Sequence, residues 1–86
     1  MSDGGMEFIM EEKILEILKD VRPDIDFENE KALVDDELIE SFDVIRIVTT
    51  LMDEFDIFID ADDIEPENLN SFETICEFVK LKVEEK

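Results

Sequence analysis

Ser41 is the residue of this 86-residue chain whose type and position best fit a chemical role. It stands directly before a run whose apolar residues recur every three or four positions, which is the period of one face of an α-helix. A serine hydroxyl at the start of a helix is exposed and can serve as a nucleophile or as an attachment point. Serine also has a purely structural use there, because its hydroxyl is a good N-cap. The apolar residues of the run are Val44, Ile47, Val48, Leu51 and Phe55.

Other residues that could do chemistry are few. The chain has no histidine, so it lacks the commonest general base and the commonest metal ligand, and Ser41 has no Ser-His partner. The acidic run that starts at Asp60 begins like a calcium loop, but Ile64 stands at a ligand position and Glu65 where glycine is required. No metal site is predicted beyond weak divalent-ion binding to clustered carboxylates. Cys76, on the apolar face of the last helix, is expected to pack rather than react.

Acidic residues dominate the composition, with 27 Asp and Glu against 8 Lys and Arg and a formal net charge of −19. Such a chain repels nucleic acids and anionic lipid head groups, and it attracts proteins that present Lys and Arg. Residues 35–63 contain 11 acidic residues and one basic residue, Arg46. This stretch is either a solvated surface that keeps the protein soluble or, beside Ser41, a docking surface for basic partners.

The pattern predicts an all-α fold, a small bundle of three longer helices plus one short helix with a long first loop. The first helix is expected over residues 6–21, the second from Ser41 to about Phe55, and the last from about Asn70, capped by Asn70 and Glu73. Pro66 suits the first turn of the short helix. Residues 1–5 are assigned to a flexible leader or expression remnant, 6–83 to the domain and 84–86 to a tail. The core is expected at Ile47, Val48, Leu51, Phe55, Phe72, Ile75 and Val79.

Two connections need apolar anchors. Residues 24–40 are too long for a structureless loop in a compact domain, so a helical turn near 30–33 and several buried apolar side chains are expected. Residues 56–60 alternate like a strand, but no partner strand is available to satisfy the backbone. They are predicted to form an extended connection with Ile57 and Ile59 directed inward.

The order of these features resembles that of acyl carrier proteins, over residues 6–83. The resemblance rests on DDELIES up to the serine, the flanking Glu40 and Phe42, the segment 53–57 after the second helix, and PENLNSFETI before the last helix. The spacing is more similar to stand-alone carriers of D-alanine or of specialised-metabolite pathways than to the carrier of fatty acid biosynthesis. The chain departs from the family at Glu40, where Asp is usual, at Arg46, where acidic residues are usual, and in lacking the glycine that is common a few positions upstream of the serine.

The resemblance implies a function in which the protein is not itself an enzyme. A phosphopantetheinyl transferase would attach phosphopantetheine from coenzyme A to Ser41, and the arm would hold an acyl or aminoacyl group as a thioester. Further partners would be an activating ligase and a downstream acyltransferase or synthase with a basic patch. The expected docking residues are Glu40, Phe42, Asp43, Arg46, Met52 and Asp53, although Phe42 could equally belong to the core.

The alternative is an acidic helical adaptor for a basic partner, in which Ser41 is only an N-cap and never carries the arm. Under either hypothesis a cytoplasmic monomer is expected. The single cysteine cannot form an internal disulfide, no signal peptide is visible, and no apolar run is long enough for membrane insertion.

Overall fold

The computed structural model describes the backbone of residues 2–85 and the side chains of residues 9–85, and it confirms the all-α class. Its helices are α1 (Ser2–Val21), α2 (Ser41–Phe55), α3 (Pro66–Leu69) and α4 (Phe72–Glu85), with a 3-10 turn at Ala61–Asp63. Helix α1 packs against α2 and α4, and α3 packs against α4. Three long helices and one short helix are the set that the sequence predicts, and residues 2–85 contain no strand.

The ends of the outer helices differ from the prediction. Helix α1 begins at Ser2 rather than at Met6, so the backbone of residues 2–5 belongs to the helix. Residues 84 and 85 of the predicted tail belong to α4. Met1 of the predicted leader and Lys86 of the predicted tail lie outside the described residues.

The buried core draws on every long helix and on both connections. Of the seven predicted core residues, Phe55 and Phe72 are only partly buried, and the other five are buried. Phe55 is the last residue of α2, and Phe72 lines an open groove between α1 and α4. Each therefore lies at the margin of the core. The buried apolar residues are Ile14, Ile17, Leu18, Val21, Ile25, Phe27, Leu33, Ile39, Ile47, Val48, Leu51, Ile57, Ile59, Leu69, Ile75, Phe78 and Val79.

The first connection is held by turns and by apolar anchors, as predicted. Its turns, however, do not lie at residues 30–33, where a helical turn is expected. One is closed by the Glu30 N–H on the Asp26 carbonyl at 3.1 Å, and the next by the Asp36 N–H on the Ala32 carbonyl at 2.8 Å. No regular helix forms between residues 24 and 40. The anchoring is carried by buried side chains rather than by a helical turn at residues 30–33. The buried anchors are Ile25, Phe27, Leu33 and Ile39.

The second connection follows the prediction closely. Helix α2 ends where Asp56 adopts a left-handed conformation with φ of 54°. Ile57 and Ile59 are then buried, whereas Phe58 between them is 74% exposed. Pro66 occupies the first turn of α3. No helix within residues 2–85 is long and apolar enough to cross a membrane.

Candidate functional site

Ser41 is the first residue of α2, and Glu40 before it is the N-cap. The interpretation of Ser41 as a possible N-cap is therefore wrong by one position. Glu40 has the extended backbone of a cap residue, and its carbonyl accepts the Val44 N–H at 2.9 Å to open the helix. The Asp43 carboxylate accepts the Glu40 N–H at 3.1 Å. The cap of α2 thus forms without the serine hydroxyl, which leaves that hydroxyl available for another role.

An ion pair fixes the start of α2 to the end of α1. The Arg22 guanidinium donates to Asp43 at 2.7 Å and to the Leu38 carbonyl at 3.2 Å, and it forms two further hydrogen bonds with Asp24. Burial would raise the pKa of the Asp43 carboxyl, but hydrogen bonds from the Glu40 N–H and from Arg22 lower that pKa below its usual value of 3.8. Asp43 is therefore a charged internal anchor two residues after Ser41.

The other described hydroxyls are engaged. Thr49 and Thr50 both donate to carbonyls of the preceding turn of α2, at 2.8 and 2.7 Å. Ser71 is buried and exchanges capping hydrogen bonds with Thr74, since each residue's hydroxyl accepts the other's backbone N–H at 3.1 Å. Ser41 is exposed and its hydroxyl has no hydrogen-bond partner among residues 9–85. Within those residues it is the side-chain hydroxyl that is best placed to react.

Ser41 lies at the edge of an open groove with a volume of about 640 Å³. One wall is formed by Val34 and Glu37 of the first connection, and the other by the chain around α3. The start of α2, including Ser41, completes the lining. The interior is largely apolar, and acidic side chains of Glu37, Glu40 and Glu65 lie among its lining residues. The remaining lining residues are Ile39, Val44, Ile45, Ile64, Pro66 and Leu69.

The outer face of α2 presents an apolar and charged strip next to the groove. Phe42 is 70% exposed and Ile45 is 56% exposed, and Arg46 and Asp53 are exposed as well. Their spacing places these four residues on one side of the helix, opposite the core. We call them the α2 outer face. Phe42 is thus a surface residue rather than a core residue.

The six residues expected for docking fall into different environments. Glu40, Phe42, Arg46 and Asp53 are exposed around the start and outer face of α2. Met52 is partly buried and packs against the core. Asp43 is only 13% exposed at its side chain and is committed to Arg22. Asp43 is therefore a positioning residue, and docking stays a prediction for the four exposed residues.

Asp63, in the acidic segment after α2, is likewise committed to internal contacts. Asp63 forms an ion pair with Lys82 of α4 at 2.8 Å and accepts the Asp60 N–H at 3.0 Å. The hydrogen bond from Lys82 lowers the pKa of the Asp63 carboxyl, and that from Asp63 raises the pKa of the Lys82 ammonium. The Asp63 carboxylate thus holds the turn before α3 against α4.

Cys76 lies in the second groove, which has a volume of about 460 Å³ and is lined by residues of α1, α4 and the first connection. The thiol is half-buried, and burial together with the charges of Glu11 and Glu77 raises its pKa to about 12. A thiol in this state has little thiolate at neutral pH and is a poor nucleophile. Its environment agrees with the expected packing role.

Three residues of the site were not singled out from the sequence. The sequence pattern gives Arg22 and Ile45 no role, and it assigns Asn70 to a cap with Glu73. The cap of α4 is instead the Ser71–Thr74 pair, and Asn70 hydrogen-bonds to residues 33–35 of the first connection. The period of α2 could have revealed Ile45, since it lies one turn after Phe42 on the face away from the core.

Together, the fold and the site define a small acidic helical bundle with an exposed serine at a helix start. Comparison of the chain with protein-family models, with curated proteins and with solved structures finds no match.

Proposed function

We propose that this protein is a carrier that holds an acyl or aminoacyl group as a thioester on a phosphopantetheine arm attached to Ser41. The arm would come from coenzyme A. The Ser41 oxygen attacks the phosphorus that bears pantetheine, the bond from that phosphorus to adenosine 3′,5′-bisphosphate breaks, and a partner transferase takes the hydroxyl proton. The carrier supplies position, and the transferase supplies the base and the metal.

The observation that carries this proposal is the state of the Ser41 hydroxyl. It is exposed, stands at the first residue of a well-capped helix and is not used in the cap. Because Glu40 and Asp43 hold the helix start without it, modification of the oxygen removes no hydrogen bond to another described residue. A large substituent is therefore compatible with the fold.

The electrostatic setting of Ser41 is mixed. An anion at a helix N-terminus gains roughly 0.3–1 kcal/mol from the helix dipole when it is exposed. The carboxylate of Glu40 opposes an added phosphodiester, whereas that of Asp43 is paired with Arg22. The Arg22–Asp43 pair thus reduces the repulsion that the modified serine would meet.

The lining of the groove beside Ser41 indicates which chemical class of cargo it would favour. Its apolar interior would favour burial of an alkyl or aliphatic aminoacyl group. The acidic residues of its lining would disfavour a cargo with a free carboxylate and tolerate a neutral or ammonium-bearing one. We therefore expect a monocarboxylic acyl group or an aminoacyl group rather than a dicarboxylic one.

The exposed surface around Ser41 fits the expected partners. Phe42 and Ile45 offer apolar contact area, and the surrounding acidic residues would attract a transferase, a ligase and a downstream acyltransferase or synthase with basic patches. Arg46 within the α2 outer face would select partners that place an acidic group opposite it.

Intact mass spectrometry tests the proposal directly. The protein is incubated with coenzyme A and a promiscuous phosphopantetheinyl transferase, and one phosphopantetheine addition is expected. Ser41→Ala should abolish the addition, whereas Thr49→Ala, one hydroxyl removed from the exposed side of the same helix, should leave it intact. An addition that persists in Ser41→Ala would refute the assignment.

The second candidate is an acidic helical adaptor that never carries the arm. The strongly exposed Phe42 and Ile45 favour it, because an apolar strip of this kind can mark a protein interaction site without any modification. The same mass-spectrometry experiment distinguishes the two functions. An adaptor would show no mass addition with any transferase tested and would keep its partner binding in Ser41→Ala.

A further inference from the structure

We propose that Asn70 is a positioning residue that holds the two walls of the groove beside Ser41 together and thereby determines how well a group attached to Ser41 is sheltered. The holding of the groove walls concerns the unmodified protein and is argued from hydrogen bonds alone. The sheltering of an attached group rests on the proposed function.

Asn70 is joined to three successive residues of the opposite wall. Its side-chain oxygen accepts the N–H groups of Val34 at 2.9 Å and Asp35 at 3.1 Å, and its side-chain nitrogen donates to the Asp35 carboxylate at 3.1 Å. Its backbone carbonyl accepts the Leu33 N–H at 2.8 Å. We call this set of hydrogen bonds the Asn70 bridge. Between residues 33–40 and residues 61–71, both fully described, every hydrogen bond belongs to it.

Each wall is otherwise fastened to a different part of the bundle. The first connection is held to α1 and α2, where Arg22 binds the Leu38 carbonyl and Asp43. The wall around α3 is held to α4 through the ion pair between Asp63 and Lys82. Neither fastening joins one wall to the other, so the polar control of groove width falls to the Asn70 bridge.

The occupant of the groove is inferred from the position of Ser41. The serine is itself a lining residue, so an arm esterified to it begins inside the groove mouth. The apolar interior suits the alkyl part of a cargo, and the acidic lining disfavours an anionic ligand from solution. The tethered cargo therefore has both the proximity and the chemistry that the groove requires.

The unmodified protein provides the first test, through amide hydrogen exchange. In Asn70→Ala, the amides of Val34 and Asp35 lose their acceptor, and their protection should fall about tenfold or more. In Asn70→Asp the acceptor oxygen remains, but a second carboxylate faces that of Asp35. Combining it with Asp35→Asn reverses donor and acceptor between the two side chains, and the double variant should recover the protection.

The loaded protein provides the second test. The transferase loads Ser41 with octanoyl- or acetyl-phosphopantetheine from the corresponding acyl coenzyme A. The thioesters are then cleaved with hydroxylamine, which forms the hydroxamate and frees the arm thiol. The octanoyl thioester should be cleaved more slowly than the acetyl thioester in the unchanged chain. Asn70→Ala should abolish that difference, and the double variant should restore it.

Asn29→Ala is the matched control, because Asn29 lies in the first connection, as Val34 and Asp35 do, but it hydrogen-bonds to Asp26 at 2.6 Å and does not line the groove. It should behave like the unchanged chain in both tests. Unchanged exchange at Val34 and Asp35 in Asn70→Ala would overturn the bridge. Equal cleavage of the two thioesters in the unchanged chain would overturn the sheltering. Failure of Ser41 to accept any arm would instead refute the proposed function, while exchange would still decide the bridge.

Discussion

Arg22 and Asp43 are joined by a 2.7 Å ion pair that connects the end of α1 to the first turn of α2. The same carboxylate oxygen that binds Arg22 also accepts the Glu40 N–H. The Asp43 carboxylate thus binds both the N-cap of α2 and the end of α1, two residues after Ser41. The position and direction of the serine therefore depend on a contact between residues 21 positions apart in the chain.

Removal of the Asp43 side chain should destabilise the fold more than removal of a surface carboxylate from the same helix. Asp43→Ala deletes the acceptor of the Glu40 N–H and leaves Arg22 without one of its partners, which should lower the unfolding free energy by about 1–2 kcal/mol. Asp53→Ala is the control, and its effect should stay within about 0.5 kcal/mol. Urea unfolding followed by circular dichroism measures both, and equal effects would contradict the anchoring role.

The Asp43 contribution should also depend on pH. Because the folded-state pKa of Asp43 lies below its usual value of 3.8, its stabilisation is complete above that value and is lost as pH falls through the folded pKa. Asp43→Asn keeps the side-chain shape without the charge. The stability difference between the unchanged chain and Asp43→Asn should therefore be constant from neutral pH down to about pH 5 and shrink below about pH 4. A difference that grew in acid would reverse the assigned sign.

Local sequence pattern was sufficient for the helices and for the place of Ser41. The apolar period of α2 and the alternation around Ile57 and Ile59 each follow from residues close together in the chain. The pattern did not decide whether Ser41 or Glu40 is the N-cap of α2. Both residue types are compatible with a helix start as long as the hydrogen bond between Asp43 and the cap residue is unknown.

The long-range polar contacts could not be predicted in the same way. Asn70 has a neighbour, Glu73, at a spacing typical of a capping box, and nothing local indicates that it binds Asp35 instead. Which distant polar groups meet depends on how the two connections pack, and the period of the helices carries no information on that. The groove was missed for the same reason, since its walls come from segments far apart in sequence.

Ser41→Ala should leave stability nearly unchanged, whereas Ser71→Ala should not. The Ser41 hydroxyl takes no part in the α2 cap, so its loss should change the unfolding free energy by less than about 0.5 kcal/mol. Ser71 is 5% exposed and caps α4 with Thr74, and its replacement should cost about 0.5–2 kcal/mol. Thermal unfolding of both variants makes the comparison. A Ser41→Ala variant as unstable as Ser71→Ala would mean that the hydroxyl is part of the cap after all.

Phe27 should matter more to stability than Phe55. Phe27 is fully buried in the first connection, whereas Phe55 is partly buried at the end of α2. Phe27→Ala should cost about 3–5 kcal/mol and could unfold so small a domain, so Phe27→Leu is measured beside it as a milder change. Phe55→Ala should cost less than Phe27→Ala. The reverse order in urea unfolding would show that the first connection is not anchored as the structure has it.

Salt should stabilise the fold and weaken the modification of Ser41 at the same time. The chain has 27 acidic and 8 basic residues, so ion pairs such as Lys13–Glu54 at 3.1 Å neutralise few of the carboxylates. Self-repulsion should therefore dominate at low ionic strength. Sodium chloride shortens the Debye length to about 8 Å near 0.15 M, which relieves the repulsion and raises the thermal midpoint.

The same screening reduces steering of the acidic surface to a basic transferase, so the rate of arm attachment should fall across the series. Ser41→Ala, measured by thermal unfolding alone, should show the same rise in midpoint, because that effect does not depend on the serine. A midpoint that fell with moderate salt would mean that internal ion pairs, rather than repulsion, control the stability, and the docking role of the exposed acidic surface would then lose its support.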